Sequence, residues 1–416
     1  MNTTDGKRLR LAVFDVEGVL VPKNRYLLLE VGRSLDLPQF ARIVVAGVLY
    51  ESGLVSLKSA MKRVFRFFKG YRVEELLQIF RQIPLMPGVE EVFRKVKSEG
   101  CKTVLISSGL PVFVVQDLAT SLGADYAFGL ELEVKDAVVT GEVGGDVIEH
   151  NGKLRILRRV LEAEGLAPED CVVIADDRNN APMFIPEILK IGYNPDFAIR
   201  VKADHVVTGH PLEILSIMKG QARKGRTLPS NNEIIREIIH ACGFSVPILS
   251  SLVGRHIITL LILLVTFMYT ISELIMMEEK SFPLISSITS HAATPEELHE
   301  FGTAPVFFAF GILFTLLLFP SPASSAAIAV FAFGDSTASI FGKMLGRTAL
   351  PLNKGKTLEG AFIGFLFAFL AATFFVNPIR ALIGAALAMV MESLPLPLND
   401  NLVVPIMTGF ALTLAG

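Results

Sequence analysis

In Val13-Phe14-Asp15-Val16-Glu17-Gly18-Val19-Leu20 an apolar run meets two acids and a glycine, and the first half of the chain organises around it. The run from residue 9 to 14 ends on a carboxylate, and a second acid follows two residues later. A continuous apolar run reads as a parallel strand buried on both faces. Ligands of open α/β sheets gather beyond the carboxyl ends of such strands. Two acids there are costly unless they meet a cation or take part in chemistry. Comparable polar clusters recur at Ser107-Ser108-Gly109 after 103–106, at Lys153 opening a helix, and at Asp176-Asp177-Arg178-Asn179-Asn180 after 171–175. Together they describe a phosphoryl-transfer site.

At 416 residues the chain is too long for one ordinary core. Residues 1 to about 225 mix charge with short apolar runs, as soluble α/β domains do. From about 240 onward, long apolar stretches with few charges read as membrane spans. A net charge of −2 lacks the basic footprint of a nucleic-acid binder. Cys101, Cys171 and Cys242 lie far apart and form neither a metal-ligand pattern nor a disulfide framework, which suits a reducing compartment. The first apolar run carries Asp15 and is too short for a secretory signal.

Strand-like runs at 10–14, 103–106, 171–175, 189–192 and 205–207 alternate with helical patterns at 88–99 and 153–164. This alternation predicts a parallel sheet with helices on both faces. Residues 22–86 interrupt it with basic, amphipathic helical sequence (Lys58, Lys62, Arg63, Arg66, Lys69) and predict a cap over the site. Residues 131–143 read as a β-hairpin with Asp136 at the turn.

These residues resemble the haloacid-dehalogenase-like phosphohydrolases, particularly the phosphoserine phosphatases, over about residues 9–219. The likeness extends to Leu105-Ile106-Ser107-Ser108-Gly109, Leu122-Gly123-Ala124-Asp125, Glu131-Leu132-Glu133-Val134 and Ala203-Asp204-His205-Val206. It implies a Rossmann-like α/β domain with a helical cap. It also implies that Asp15 is the nucleophile, that Glu17 protonates the leaving oxygen and then activates water, and that Lys153 offsets phosphate charge. By the same likeness Ser107, with Ser108 and Gly109, binds the phosphoryl oxygens. Asp15, Asp176 and Glu17, through its backbone carbonyl, would hold Mg²⁺. A metal and a lysine are needed because a dianionic phosphate repels a carboxylate nucleophile. The chain departs from the family pattern at Glu17, where Asp is commoner, at Asn180, where a second acid usually sits, and at Asn24, where phosphoserine phosphatases place a Glu. Arg63 is the candidate cap arginine for a substrate carboxylate.

Residues 220–236 form a basic linker, and apolar segments follow near 238–254, 257–277, 304–320, 323–342, 358–376, 380–394 and 401–415. They predict an all-α polytopic domain over 237–416 with about seven spans. With the linker cytoplasmic, Lys280, Lys343, Arg347, Lys354 and Lys356 fall in cytoplasmic loops, leaving only Arg255 and Arg380 outside. The expectation is an integral protein of the cell membrane with its N-terminal domain cytoplasmic. Asp335 in Gly334-Asp335-Ser336-Thr337-Ala338-Ser339, Lys354 and Lys356 in Asn353-Lys354-Gly355-Lys356-Thr357-Leu358-Glu359-Gly360, Glu392 and Asp400 lie within or beside these spans. Acids at such positions are expensive and usually functional.

This half resembles the dolichol kinase and phytol kinase family of CTP-dependent polyprenol kinases over about 233–416, beginning with Arg236-Glu237-Ile238-Ile239-His240. The resemblance implies transfer of the CTP γ-phosphoryl group to an isoprenoid alcohol in the bilayer. Asp335 would be a metal ligand, Lys354 and Lys356 phosphate clamps, and Asp400 or Glu392 the hydroxyl base or a second metal ligand. The combined expectation is a bifunctional enzyme: an Mg²⁺-dependent phosphohydrolase acting on a phosphoester, fused to the kinase. The alternative is a CTP-dependent cytidylyltransferase making CDP-lipids, with the first domain a non-catalytic regulatory module. It shares Lys356-Thr357-Leu358-Glu359-Gly360 but lacks a further Lys-Asp and Gly-Gly-x-x-Asp-Arg region here.

Overall fold

A computed structural model describes residues 9–22, 42–43, 45–46, 50, 55–220, 229–276, 303–396 and 398–416, with backbone alone at 274–276. Asn24, Lys280 and much of the expected cap lie outside the described residues. The chain divides into two compact units, Met1–Ala222 and Arg223–Gly416.

In the first unit, β1 (Leu11–Asp15), β2 (Lys102–Pro111), β3 (Tyr126–Lys135), β4 (Val138–Gly144), β5 (Cys171–Ala175), β6 (Leu189–Tyr193) and β7 (His205–Val207) form one sheet of order β4-β3-β2-β1-β5-β6-β7. Every residue of β1 and β5 is buried, as an apolar strand between two layers must be. β1 runs parallel to both β2 and β5, with Asp15 opposite Ile106 and Phe14 opposite Ile174. That register brings Asp15, Ser107 and Asp176 to one edge of the sheet. β3 and β4 are the antiparallel exception. Their two-residue turn, Asp136-Ala137, holds φ of 52° and 62°, the positive values a tight hairpin needs.

Three helices fix the site's surroundings. In α1 (Leu57–Phe65), Ser56 caps the first turn, accepting from Ser59 N, and Ala60, Met61, Val64 and Phe65 are buried. Beyond it, Gly70 N and Val73 N donate to the carbonyls of Val139 and Ala137, bracing this segment on the hairpin. α3 (Val89–Ser98), which follows α2 (Val73–Arg81), carries Glu90 and Glu91 in its first turn and Lys95 and Lys97 in its last, matching the helix dipole. Its Phe93 ring lies 4.7 Å from Phe14. After α4 (Val112–Leu122) comes α5 (Gly152–Glu164), whose buried face is Lys153, Ile156, Leu157, Val160 and Leu161. The spacing that docks α5 on the sheet therefore also turns Lys153 inward. α6 (Phe197–Lys202) and α7 (Glu213–Met218) complete this unit.

The second unit is helical: α8 (Asn231–Ala241), α9 (Ser245–Val253), α10 (Arg255–Met276), α11 (Thr303–Leu318), α12 (Ala323–Leu345), α13 (Leu358–Ala372), α14 (Pro378–Ser393) and α15 (Asp400–Leu414). Among the described residues, each apolar segment of the sequence is largely helical. Among the described residues, Asn231–Val253, Arg255–Glu273 and Ala323–Leu345 are long and apolar enough to cross a membrane. α11, α13 and α15 are shorter apolar helices, so among the described residues helix length supports three spans and does not confirm a count of about seven. Large apolar side chains point outward, with Leu252 74% and Phe374 77% exposed, while Ala326, Ala327, Ala368, Ala385 and Thr408 fill the interior. Small residues inside and large ones outside suit packing in lipid, where close backbone approach replaces hydrophobic drive. A Cβ on Gly364 would sit 2.7 Å from Ala338 Cβ and 2.8 Å from the Gly334 carbonyl, so α13 crosses α12 in near backbone contact.

Candidate active sites

Asp15 lies at the end of β1, 3% exposed, and its carboxylate is held from three directions. Lys153 Nζ donates to Oδ1 at 2.9 Å, Val16 N donates to the same oxygen at 3.0 Å, and Asn180 Nδ2 donates to Oδ2. Lys153, itself 3% exposed, also donates to Asn180 Oδ1 at 2.7 Å, closing a ring of three side chains. Burial works against the lysine's charge, but Asp15, Asp177 and Glu17 outweigh it and raise its pKa above the ordinary range. An ion pair this deep is weak support for stability but strong restraint on geometry.

Gly18 sits at a φ of 79° and its N–H donates to the Val21 carbonyl, turning the chain sharply after β1 so that Glu17 faces the same edge. Burial first, and then the neighbouring Asp15 charge, push the Glu17 carboxyl up to about 7, offset in part by Lys153 and Ser107. A carboxyl in that range can give and take a proton near neutrality. A Cβ on Gly109 would overlap Glu17 Oε1, so only glycine leaves this carboxyl its place. Ser107 Oγ accepts from Leu110 N at 2.8 Å and Gly109 N at 3.2 Å, which leaves its hydroxyl hydrogen to donate outward. Ser108, beside it in β2, is buried too.

The loop after β5 supplies the remaining acids. Asp177 accepts from Asn179 N, Asn179 Nδ2 and Asn180 Nδ2, a closed turn. Asp15, Asp176 and Asp177 each place a carboxylate oxygen within 4.8 Å of the others. Three oxygen donors suit a hard cation such as Mg²⁺. The carboxylate group that could hold a cation thus includes Asp177 beside Asp15 and Asp176, while the Glu17 side chain lies against Ser107. Arg178 Nη2 donates to the Tyr50 carbonyl and stacks 4.6 Å from the Tyr50 ring centre, and Tyr50 Oη donates to Asn179 Oδ1. Arg63 is on the exposed side of α1 and, among the described residues, does not join the Asp15 cluster. Asn180, a departure from the family pattern in sequence, is the amide that links nucleophile candidate to lysine.

In the second unit, Lys356 Nζ, from the loop before α13, donates to the Glu392 carboxylate, to the Glu392 carbonyl at 2.8 Å and to Asp400 Oδ2 at 3.0 Å. Burial disfavours its charge, yet Glu392, Asp400 and Asp335 raise its pKa beyond the usual range. Glu392 and Asp400 therefore meet at one lysine, with Asp335 beside it. Lys354 is exposed on the same loop. Asp335 also faces α8, where His240 Nδ1 lies 3.5 Å from Asp335 Oδ2. Glu237, one turn before His240, accepts from Ser339 Oγ at 2.9 Å. Sequence reading gave Glu237 no role. Its three-residue spacing from His240 placed both on one helix face, but nothing local pointed to Asp335 as their neighbour.

Residues 12–184 match the family model described as haloacid dehalogenase-like hydrolase. A phosphoserine phosphatase of Archaeoglobus fulgidus is 30% identical over 220 residues, which span 52% of this chain and 62% of that protein. A phosphoserine phosphatase of Methanocaldococcus jannaschii is 28% identical over 214 residues, 51% of this chain and 99% of that one. A solved structure titled as a phospho-aspartyl intermediate analogue of phosphoserine phosphatase matches with a TM-score of 0.45 at 26% identity, over 51% of this chain and 99% of its own. The N-terminal part of the chain, over residues 12–184, is thus a haloacid dehalogenase-like hydrolase domain similar to phosphoserine phosphatases.

Proposed function

We propose that the first unit hydrolyses phosphomonoesters through a phosphorylated Asp15. The observation that carries this is the buried ring of Asp15, Lys153 and Asn180, with Glu17 and Ser107 at the same sheet edge. Lys153 and Asn180 fix the Asp15 carboxylate, so little reorganisation separates it from attack on phosphorus. Ser107 donates its hydroxyl hydrogen to a phosphoryl oxygen. As the P–O ester bond breaks and the P–O bond to Asp15 forms, Glu17 gives its proton to the leaving oxygen. Glu17, now ionised, takes a proton from water attacking the acyl phosphate, which frees inorganic phosphate and restores the Asp15 carboxylate. Bound Mg²⁺, held by Asp15, Asp176 and Asp177, would supply positive charge against the phosphate oxygens. The relatives' names make phosphoserine the first compound to test. Wild-type protein should release p-nitrophenol from p-nitrophenyl phosphate with Mg²⁺ and Asp15→Asn should not; an inactive wild type contradicts the reading.

The second unit, on this reading, is a membrane-embedded kinase that moves the γ-phosphoryl group of CTP to an isoprenoid alcohol. Support comes from the buried Glu392 and the part-buried Asp335 and Asp400 gathered at Lys356 among apolar helices, a costly arrangement in lipid without a polyanion or cation to meet. Lys356 would hold the phosphate chain, with Lys354 nearby on its loop, and Glu392 or Asp400 would accept the alcohol proton. Membranes given a C20 or longer prenol and CTP labelled at the γ position should yield labelled lipid. Label entering lipid from the α position instead indicates a cytidylyltransferase.

A further inference from the structure

Glu237 and His240 are 5% and 7% exposed; among the described residues Glu237 Oε2 has no hydrogen-bond partner, and His240 Nδ1 has only the long 3.5 Å approach of Asp335 Oδ2. Such orphans are rare and need an explanation. Their neighbour is Asp335, and a donor atom from each of the three lies within 4.8 Å of the other two. The groups are already oriented. The His240 ring stacks on Phe308 at 4.3 Å and 12°, and Ser339 holds the other Glu237 oxygen at 2.9 Å, with Arg236 Nη2 3.6 Å from that same oxygen. A ligand carboxylate fixed by a hydroxyl and an imidazole fixed by packing are the outer supports metal sites use. Charge points the same way: Glu237 and Asp335 face each other, and Asp335 also faces Glu392, while Lys356 is shared with Glu392 and Asp400. Donors around one cation at ~2.1 Å lie ~3–4 Å apart, so modest side-chain rotation closes the set.

We propose that Glu237, His240 and Asp335 bind one divalent transition-metal ion, of the Mn²⁺ or Zn²⁺ class. One imidazole and two carboxylates favour these ions over Mg²⁺, which prefers oxygen donors alone. The binding site stands on these residues; its use in phosphoryl transfer rests on the kinase reading. The full-length chain in detergent, carrying Asp15→Asn and Asp176→Asn to disable the first unit's carboxylates, is titrated with MnCl₂ in excess Mg²⁺ and followed by electron paramagnetic resonance. Saturable uptake of a single Mn²⁺ with ligand-nitrogen coupling is expected. Adding Ser339→Ala should weaken binding about 10-fold, and His240→Gln should remove the nitrogen coupling and weaken it further. Absent saturable binding, absent nitrogen coupling, or affinity unmoved by both His240→Gln and Glu237→Gln overturns the site. Mn²⁺ binding without phosphoryl transfer from CTP would remove the kinase reading and leave the site in place.

Discussion

Replacing Lys153 by Met removes the cation that faces Asp15, Glu17 and Asp177 while keeping most of the side chain's volume. At 2.9 Å the Lys153–Asp15 attraction is large, but what matters is the carboxylate left behind. Breaking one side of a buried ion pair costs about 3–5 kcal/mol. For a domain of this size 1 kcal/mol shifts the midpoint by about 2–4 °C, so unfolding of the first unit should fall by roughly 6–20 °C in EDTA. Differential scanning calorimetry of the full chain, with the two transitions followed separately, gives the shift. Mg²⁺ should recover part of it by meeting the same carboxylates. The double variant Lys153→Met/Asp15→Asn should recover more than half without metal, because the uncompensated charge has gone. If the double variant unfolds as early as Lys153→Met alone, the loss came from packing and the ion-pair reasoning fails.

Gly109→Ala should leave stability within about 1 kcal/mol, since the far end of Glu17 can swing aside, yet lower phosphatase turnover about 10²-fold by displacing the proton donor; steady-state kinetics beside a melting curve checks both halves. Asn180→Asp exchanges the amide donor to Asp15 for a carboxylate, so the metal-free chain should melt earlier while Mg²⁺ half-saturation falls; an unchanged metal requirement speaks against Asn180 lining the cation site. Lys356→Met should abolish label transfer from γ-labelled CTP to lipid and lower the second transition, as Glu392 and Asp400 lose their shared partner. Gly364→Leu forces α12 and α13 apart and should prevent recovery of a monodisperse protein in detergent; recovery at the wild-type level would mean the crossing is not close.

The sheet was readable because its signals are local. The apolar run of β1, the run before Asp176, and the spacing that puts Lys153 on the inner face of α5 each lie within a dozen residues. The Asp136-Ala137 hairpin turn was local too. What escaped depends on contacts far apart in the chain. Asn180 reads as a missing acid until Lys153 and Asp15 are seen on either side of its amide. Glu237 has no local mark of function, because its neighbour Asp335 belongs to another helix. Arg63, the cap arginine put forward by resemblance, is left exposed by the same amphipathic pattern that buries Val64 and Phe65. Span counting suffered from a different cause: α11 and α13 are apolar on every side, so hydropathy marks them without fixing whether their length crosses a bilayer.

A rapid acid quench during turnover of a phosphoester, followed by peptide mass spectrometry, tests the nucleophile directly. A phosphoryl group is expected on the peptide containing Asp15, released by hydroxylamine and absent from Asp15→Asn. A turning-over enzyme that carries no such group, or carries it on another residue, contradicts that expectation.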